Sequence, residues 1–154
     1  MKLIVLALTL GVLLTGASQL AGAGRQTLPV LHVSTAAELE SAVSRARPGQ
    51  TIRLADGEYQ AVAITRRFSA PTTILGSRAA HLPGIVFFHS ANVTLKGVSV
   101  MPTGSQRVSV MIRASHGIKL DDIVIDGRSE AVGAWIATDP TDSAITIRRS
   151  ELTN

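Results

Sequence analysis

Two stretches of the chain, offset by 25 residues, carry the same pattern of apolar side chains. Residues 84–100 read GIVFFHSANVTLKGVSV, and residues 109–125 read SVMIRASHGIKLDDIVI. The matching apolar pairs are Val93 with Ile118, Leu95 with Leu120, Val98 with Ile123 and Val100 with Ile125. A repeat of about 20–30 residues is typical of stacked supersecondary units.

A third, looser copy follows at residues 133–138 and 144–152, so that Ile145 lies 27 positions after Ile118. Within each copy apolar and polar residues alternate, which is the period of a β-strand. Gly, Asn, Asp and Ser separate the alternating runs and favour corners. We therefore predict coils of three short strands, each strand paired with its equivalent about 4.8 Å away in the next coil, as in a parallel β-helix.

The composition suits a core of this kind. The 154 residues are 45% hydrophobic but only 3% aromatic, so the interior must consist of Val, Ile, Leu and Ala. The absence of cysteine excludes disulfide bonds and cysteine-based zinc sites. The net charge of +4 fits a polyanionic partner, such as acidic polysaccharide or nucleic acid, and equally fits solubility alone.

Residues 1–23 have the organisation of a secretory signal peptide. Lys2 supplies the positive start, residues 3–14 are largely apolar, and residues 21–23 (Ala-Gly-Ala) match an A-x-A cleavage site. The apolar run is too short for a spanning helix, although a retained membrane anchor is the alternative. We predict that the mature domain, residues 24–154, is secreted or periplasmic and has no membrane contact after cleavage.

A helix is predicted ahead of the coils. Thr35 can cap it, and Glu38 three residues later completes a capping box. Residues 48–49, Pro-Gly, end it. Its apolar face should close the first coil, since a solenoid needs a cap, and consists of Leu39, Ala42, Val43 and Ala46. The segments that we expect to form a first, irregular coil are residues 51–54, 61–64 and 72–76.

Residues 37–59, from this helix to the first turn, read AELESAVSRARPGQTIRLADGEY. They resemble the N-terminal cap and first coil of right-handed parallel β-helix (pectin-lyase-like) proteins. The likeness is greatest to the alginate lyase and chondroitinase B family of polysaccharide lyases, whose members often read A-x-P-G-D-x-I-x-L-x-D-G-x-Y there. Gln50 replaces the usual Asp. The resemblance covers about residues 33–152.

The resemblance implies an all-β fold, a right-handed single-stranded parallel β-helix with an N-terminal capping α-helix, incomplete at the C-terminus. It also implies an exported carbohydrate-active protein, the N-terminal part of a polysaccharide lyase that performs β-elimination on uronate-containing polymers such as alginate or chondroitin. In that family the catalytic Lys and Arg and the acidic calcium ligands lie on later coils, and no position here matches them. We therefore predict no catalytic residue, metal ligand or cofactor in this segment, which should be inactive alone, whereas a full-length lyase can use calcium. The alternative is a non-catalytic β-helix, such as a surface or glycan-binding protein.

One outward ladder is the candidate binding surface. Alternation places six residues of the repeated first strands in the core: Ile85, Phe87, Val110, Ile112, Ala134 and Ile136. Their neighbours point outward: Val86, Phe88, Met111, Arg113, Trp135 and Ala137. Among these, Phe88, Arg113 and Trp135 are the candidate substrate-binding residues, because aromatic faces stack on sugar rings and Arg pairs with carboxylates. We expect an acidic polysaccharide, and no nucleic acid, as the partner; packing under a loop or against another protein is the alternative.

The remaining polar candidates are weaker. Carboxylates that could hold calcium, but that more often form turns, are Asp121, Asp122, Asp126, Asp139 and Asp142. The histidines lack the spacing of a metal triad, although His89 and His116 should occupy nearby corners of successive coils. Cations that could act as a base or neutralise charge in β-elimination, without a spacing that brings two together, are Arg66, Arg67, Lys96, Lys119, Arg148 and Arg149.

The last repeat is expected to have an open edge. Residues 145–152 should form strands with a neighbouring coil on one side, and an exposed strand edge is a template for pairing with another chain. We therefore expect this segment, expressed alone, to self-associate through its open C-terminal coil.

Overall fold

A computed structural model describes residues 27–103, 108–127 and 143–153, together with the backbone of residues 132–136. The predicted signal peptide at residues 1–23 lies outside the described residues. Within these ranges, no helix has the length and apolar character needed to cross a lipid bilayer.

The described residues form one helix, α1 (Ala36–Arg45), and fifteen short strands. In chain order the strands are β1 (Leu31–Val33), β2 (Thr51–Leu54), β3 (Gly57–Glu58), β4 (Val62–Ile64), β5 (Arg67–Leu75), β6 (Ala80–Leu82), β7 (Ile85–Phe88), β8 (Ala91–Lys96), β9 (Ser99–Val100), β10 (Val108–Arg113), β11 (Lys119–Asp121), β12 (Val124–Asp126), β13 (Val132–Ile136), β14 (Thr146–Arg148) and β15 (Glu151–Thr153).

The strands form three parallel sheets, and each sheet takes one strand from each coil. Sheet A has the order β1-β2-β5-β8-β11-β14, sheet B the order β3-β6-β9-β12-β15, and sheet C the order β4-β7-β10-β13. The chain therefore passes through sheets A, B and C in turn and begins again, for about five coils. This arrangement confirms the predicted parallel β-helix.

The register follows the repeat that the sequence predicts. Leu95 pairs with Leu120 at an offset of 25 residues, and Leu120 pairs with Ile147 at an offset of 27. In sheet C, Val110 pairs with Ile85 on one side and with Ala134 on the other, as the alignment of the three copies requires. In-register stacking places equivalent apolar side chains in continuous columns. Members of this core that are fully buried include Ile52, Ile74, Val93, Leu95, Ile112 and Ile118.

The first coil differs from the expectation. The sequence predicts that residues 72–76 complete it, but Thr73 pairs with Thr51, so β5 belongs to the second coil. The register of β5 against β8 shifts between Arg67 and Thr72, and this irregularity hides the alternation that marks the other strands. Strand β1, which precedes helix α1, pairs with β2 as well.

Helix α1 covers the N-terminal end, and its predicted apolar face is buried. Thr35 caps the helix, with its Oγ1 accepting a hydrogen bond of 3.2 Å from the backbone N–H of Glu38. The carboxylate of Glu38 accepts from the backbone N–H and the hydroxyl of Ser34, at 2.7 and 3.0 Å, so the box closes one residue before the cap. The helix ends at Arg45, three residues before the predicted Pro-Gly, with Ala46 as its C-cap.

The Glu38 contacts predict a pH-dependent contribution to stability. The hydrogen bond from the backbone N–H of Ser34, followed by that from its hydroxyl, holds the pKa of Glu38 below its ordinary value. A lowered folded-state pKa stabilises the protein above the ordinary value of about 4.3, and this contribution is lost as the pH falls through the folded value. Glu38→Gln should therefore melt below the wild type at pH 7, and thermal unfolding at a series of pH values should show the difference narrowing as the pH falls through the folded-state pKa of Glu38.

The control is Glu40→Gln, which removes an exposed carboxylate of the same helix that makes neither Ser34 contact. A Glu38→Gln difference that stays constant from pH 7 down through the folded-state pKa of Glu38 would contradict the role of the Ser34 contacts.

Candidate functional site

The turn that joins sheet C to sheet A repeats from coil to coil. His89 and Ala114 have the same left-handed conformation, with φ of 51° and 50°. Two residues further, Ala91 bridges to His116, and His116 bridges to Ser143. Because these turns stack, side chains that project from them form columns along the solenoid. We call the cluster on this edge the basic corner; it includes the buried Phe68 and the exposed or half-buried residues Arg66, Arg67, Phe88, His89, Arg113 and His116.

Two buried serines fix the backbone of the basic corner. The backbone N–H of Ser90 donates to Oγ of Ser115 at 3.0 Å. The Ser115 hydroxyl donates to the carbonyl of Arg113 at 2.8 Å, and the Ser90 hydroxyl lies 3.4 Å from the carbonyl of Phe88. Buried hydroxyls with partners hold a chain in one conformation. The ends of β7 and β10 are therefore rigid supports for Phe88 and Arg113.

Phe88 and Arg113 are directly paired in sheet C. The guanidinium carbon of Arg113 lies 5.9 Å from the centroid of the Phe88 ring, within the range of a cation–π contact. The ring of His89 meets Phe88 edge-on, with the centroids 4.1 Å apart. Phe88 is 37% exposed although it is a large apolar side chain. An accessible ring, a guanidinium and an imidazole thus lie side by side.

A second cation–aromatic pair lies on the adjoining coils. The guanidinium carbon of Arg66 is 5.4 Å from the ring centroid of Phe68. Arg67 reaches past Ala91 and places Nη2 at 3.3 Å from Nδ1 of His116, two coils away. Because a guanidinium only donates, Nδ1 of His116 is the acceptor in this contact.

A cleft of about 590 Å³ separates this corner from α1. It is lined by Arg66 and Arg67 on one side and by Glu40 on the helix. Glu40 is the acidic residue that faces these arginines across the cleft. None of the seven residues of the basic corner is acidic. The corner is therefore suited to bind an anionic group.

The structure brings together two of the three predicted binding residues. Phe88 and Arg113 form the contact described above. The backbone of Trp135 pairs with Met111, in the outward row of sheet C next to the row of Phe88 and Arg113. The side chain of Trp135 lies outside the described part of the chain. Ala137 also lies outside it. Within the described residues, the predicted outward direction holds for Val86, Phe88, Met111 and Arg113, which are exposed or half-buried and alternate with the buried Ile85, Phe87, Val110 and Ile112.

Sequence reasoning missed Arg66, Arg67 and Phe68 as members of the corner. The sequence feature that could have identified them is the alignment of Arg67 with Ala91 and His116 in successive coils. The irregular register of β5 obscures this alignment. His89 and His116 lie in the same corner of successive coils, as predicted. They occupy different positions of the turn, because the equivalent of His89 is Ala114.

The carboxylates considered for calcium have other partners. Asp121 forms an ion pair of 2.5 Å with Arg149, and Asp122 forms one of 2.9 Å with Arg78. Among the residues that the structure describes, no three His, Asp or Glu side chains are arranged to hold a metal ion. Asp139 and Asp142 lie outside the described residues.

Comparison with known proteins relates the chain to one enzyme of known structure. No protein-family model matches the sequence, and no curated protein has significant sequence similarity to it. An alginate lyase from Paenibacillus sp. strain FPU-7 superimposes with a TM-score of 0.57 over 79% of this chain, at 19% sequence identity. The match covers 43% of that enzyme. The chain therefore shares the parallel β-helix fold of this alginate lyase and spans less than half of its length.

Proposed function

We propose that this chain is an exported, carbohydrate-active β-helix protein that binds an acidic polysaccharide at the basic corner. The observation that carries the proposal is the contact between Arg113 and the exposed ring of Phe88. Export to the periplasm or the exterior is part of the proposal and is supported by the signal-like pattern of residues 1–23.

The chemistry of the corner fits a uronate unit. The face of an aromatic ring packs on the apolar face of a sugar, and a guanidinium donates two parallel hydrogen bonds to a carboxylate. Arg113 and Phe88 present both groups at one place. Arg66 and Arg67 add two further cations along the axis of the solenoid, in the direction in which a polymer could contact successive coils.

We further propose that the chain is the N-terminal part of a polysaccharide lyase that acts on uronate polymers such as alginate or chondroitin. β-Elimination requires a neutralised carboxylate, a base at C5 and departure of the substituent at C4. The arginines of the corner are suited to the first task. The likeness in fold to an alginate lyase supports this proposal, and further coils would supply the remaining groups and any calcium site.

Replacing Arg113 tests the binding site. We expect Arg113→Ala to weaken binding of alginate, chondroitin sulfate or polygalacturonate by about tenfold, because a charge-assisted contact is lost. Isothermal titration calorimetry with each polymer measures the change. Arg47→Ala, which removes an exposed cation outside the corner, is the control and should leave affinity nearly unchanged. Equal losses in the two variants would contradict a specific site.

Following the absorbance of the unsaturated product tests the lyase proposal. A protein that contains these coils and the rest of the enzyme should release this product from at least one uronate polymer. Binding without product would favour the second candidate function, a non-catalytic glycan-binding β-helix. That candidate needs only the exposed Phe88 ring and the Arg113 guanidinium, which the described residues place in contact.

A further inference from the structure

The outward faces of the three sheets differ in chemistry. In sheet C the middle row is apolar and contains Ala63, Val86 and Met111. In sheet B the outward positions include Glu58 and Glu151. The outward positions of sheet A are mainly threonines and cations. This third face adjoins the basic corner, because Arg67 begins strand β5 of sheet A, but it has no role in the function proposed above.

The parallel register arranges the sheet A face into two columns. The first column consists of Thr51, Thr73, Thr94, Lys119 and Thr146. The second consists of His32, Arg53, Leu75, Lys96, Asp121 and Arg148. Neighbours within a column are separated by one coil, about 4.8 Å. In the first column, hydroxyl groups therefore recur at about this interval on both sides of Lys119, whereas the cations Arg53, Lys96 and Arg148 of the second column are two coils apart.

The cations of this face are available for a ligand. Arg53, Lys119 and Arg148 are exposed, and Lys96 is half-buried. None of the four forms an ion pair with another residue that the structure describes. Close spacing of like charges is unfavourable in the free protein, so an anion on this face would relieve their repulsion.

The single carboxylate of the two columns is neutralised from outside them. Oδ2 of Asp121 pairs with Arg149, which lies in the turn that leaves sheet A. The Asp121 side chain is only 18% exposed, and its Oδ1 is buried without a hydrogen-bond partner among the described residues. Arg149 thus partly offsets the negative charge of Asp121, which still borders the cavity beside Lys119 and Arg148.

A cavity of about 430 Å³ lies at this point of the face. Its walls include Lys119 and Arg148, with the hydroxyl-bearing Thr94 and Thr146 beside them. Cations bind a carboxylate or sulfate ester, and hydroxyls exchange hydrogen bonds with sugar hydroxyls. The lining therefore matches one charged sugar unit.

We propose that the sheet A face is a second binding surface, on which a linear acidic polysaccharide lies along the solenoid axis with an anionic group between Lys119 and Arg148. The identity of the ligand rests on the proposed function, but the surface is independent of the basic corner. It holds the polymer through successive coils and thereby raises its concentration at the corner on the same molecule.

The test compares charge variants in one titration, with polyguluronate as a carboxylate polymer and dextran sulfate as a sulfated one. Lys119→Gln combined with Arg148→Gln should weaken binding of the preferred polymer by about tenfold at low salt. Asp121→Asn should tighten it by about threefold, because a carboxylate beside the bound anion is removed. Both effects should shrink at high salt.

The matched control is Arg45→Gln combined with Arg47→Gln, which removes the same charge from the helical cap. A face variant that loses no more affinity than this control, or an Asp121→Asn variant that binds more weakly, would overturn the proposal. If Arg113→Ala weakens binding and the face variant does not, the corner is the binding site and this inference fails alone. If the face variant weakens binding and Arg113→Ala does not, the corner proposal fails and the second surface stands.

Discussion

Leu120→Asp should abolish cooperative folding. Leu120 lies in the inward column of sheet A, with Leu95 and Ile147 as its neighbours in the adjacent coils, and its side chain is buried. The substitution removes a packed leucine and places an unpaired carboxylate in the core, at a combined cost of about 5 kcal/mol or more. The free energy of unfolding of a domain is itself about 5–15 kcal/mol. Circular dichroism should show loss of the strand signal and no thermal transition.

The neighbouring position provides the control. Lys119→Asp introduces the same residue one position earlier, on the exposed side of β11, and should retain a cooperative transition near that of the wild type. Ile112→Asp, in the buried row of sheet C, should behave like Leu120→Asp. A Leu120→Asp protein that melts cooperatively, close to the wild type, would show that this column is not the core.

Gly97→Ala should destabilise the fold by about 2–4 kcal/mol. Gly97 turns the chain from sheet A to sheet B with a φ of +76°, where an L-residue is strained. A Cβ at this position would also lie 2.7 Å from the carbonyl oxygen of Gly76 in the preceding coil. A backbone oxygen has little freedom to move away, so the two costs add. Chemical denaturation of the two proteins measures the difference.

The same turn in the next coil provides the comparison. Asp122 stands at the equivalent position, with a φ of 55°, and its side chain is accommodated there. Asp122→Gly relieves the backbone strain and loses an exposed ion pair with Arg78, so the net change should stay within about 1 kcal/mol. If Gly97→Ala changed the free energy of unfolding as little as Asp122→Gly does, the coils would not approach each other closely at Gly76.

The sequence predicts this fold well where the repeat is regular. The offset between Val93 and Ile118 equals the offset between paired strands, because one copy of the sequence repeat corresponds to one coil. It predicts the second coil poorly. There the register of β5 shifts after Arg67, and no apolar alternation marks which coil the strand belongs to.

The site was accessible to sequence reasoning only in part. Phe88 and Arg113 could be paired, since equivalent residues of adjacent copies are neighbours in the sheet. The contact between Arg67 and His116 could not, because it spans two coils and depends on a small residue, Ala91, between them. The ion pair of Asp121 with Arg149 likewise depends on how a turn residue reaches back across a corner.

The stacking of coils is the claim on which the site and both binding proposals depend, and backbone contacts between strands in solution NMR test it most directly. In this arrangement, nuclear Overhauser effects should connect Lys119 to both Thr94 and Thr146, at sequence separations of 25 and 27 residues, with the pattern of parallel pairing. Contacts of Lys119 with strands only a few residues away, in the pattern of antiparallel hairpins, would contradict the β-helix and the surfaces built on it.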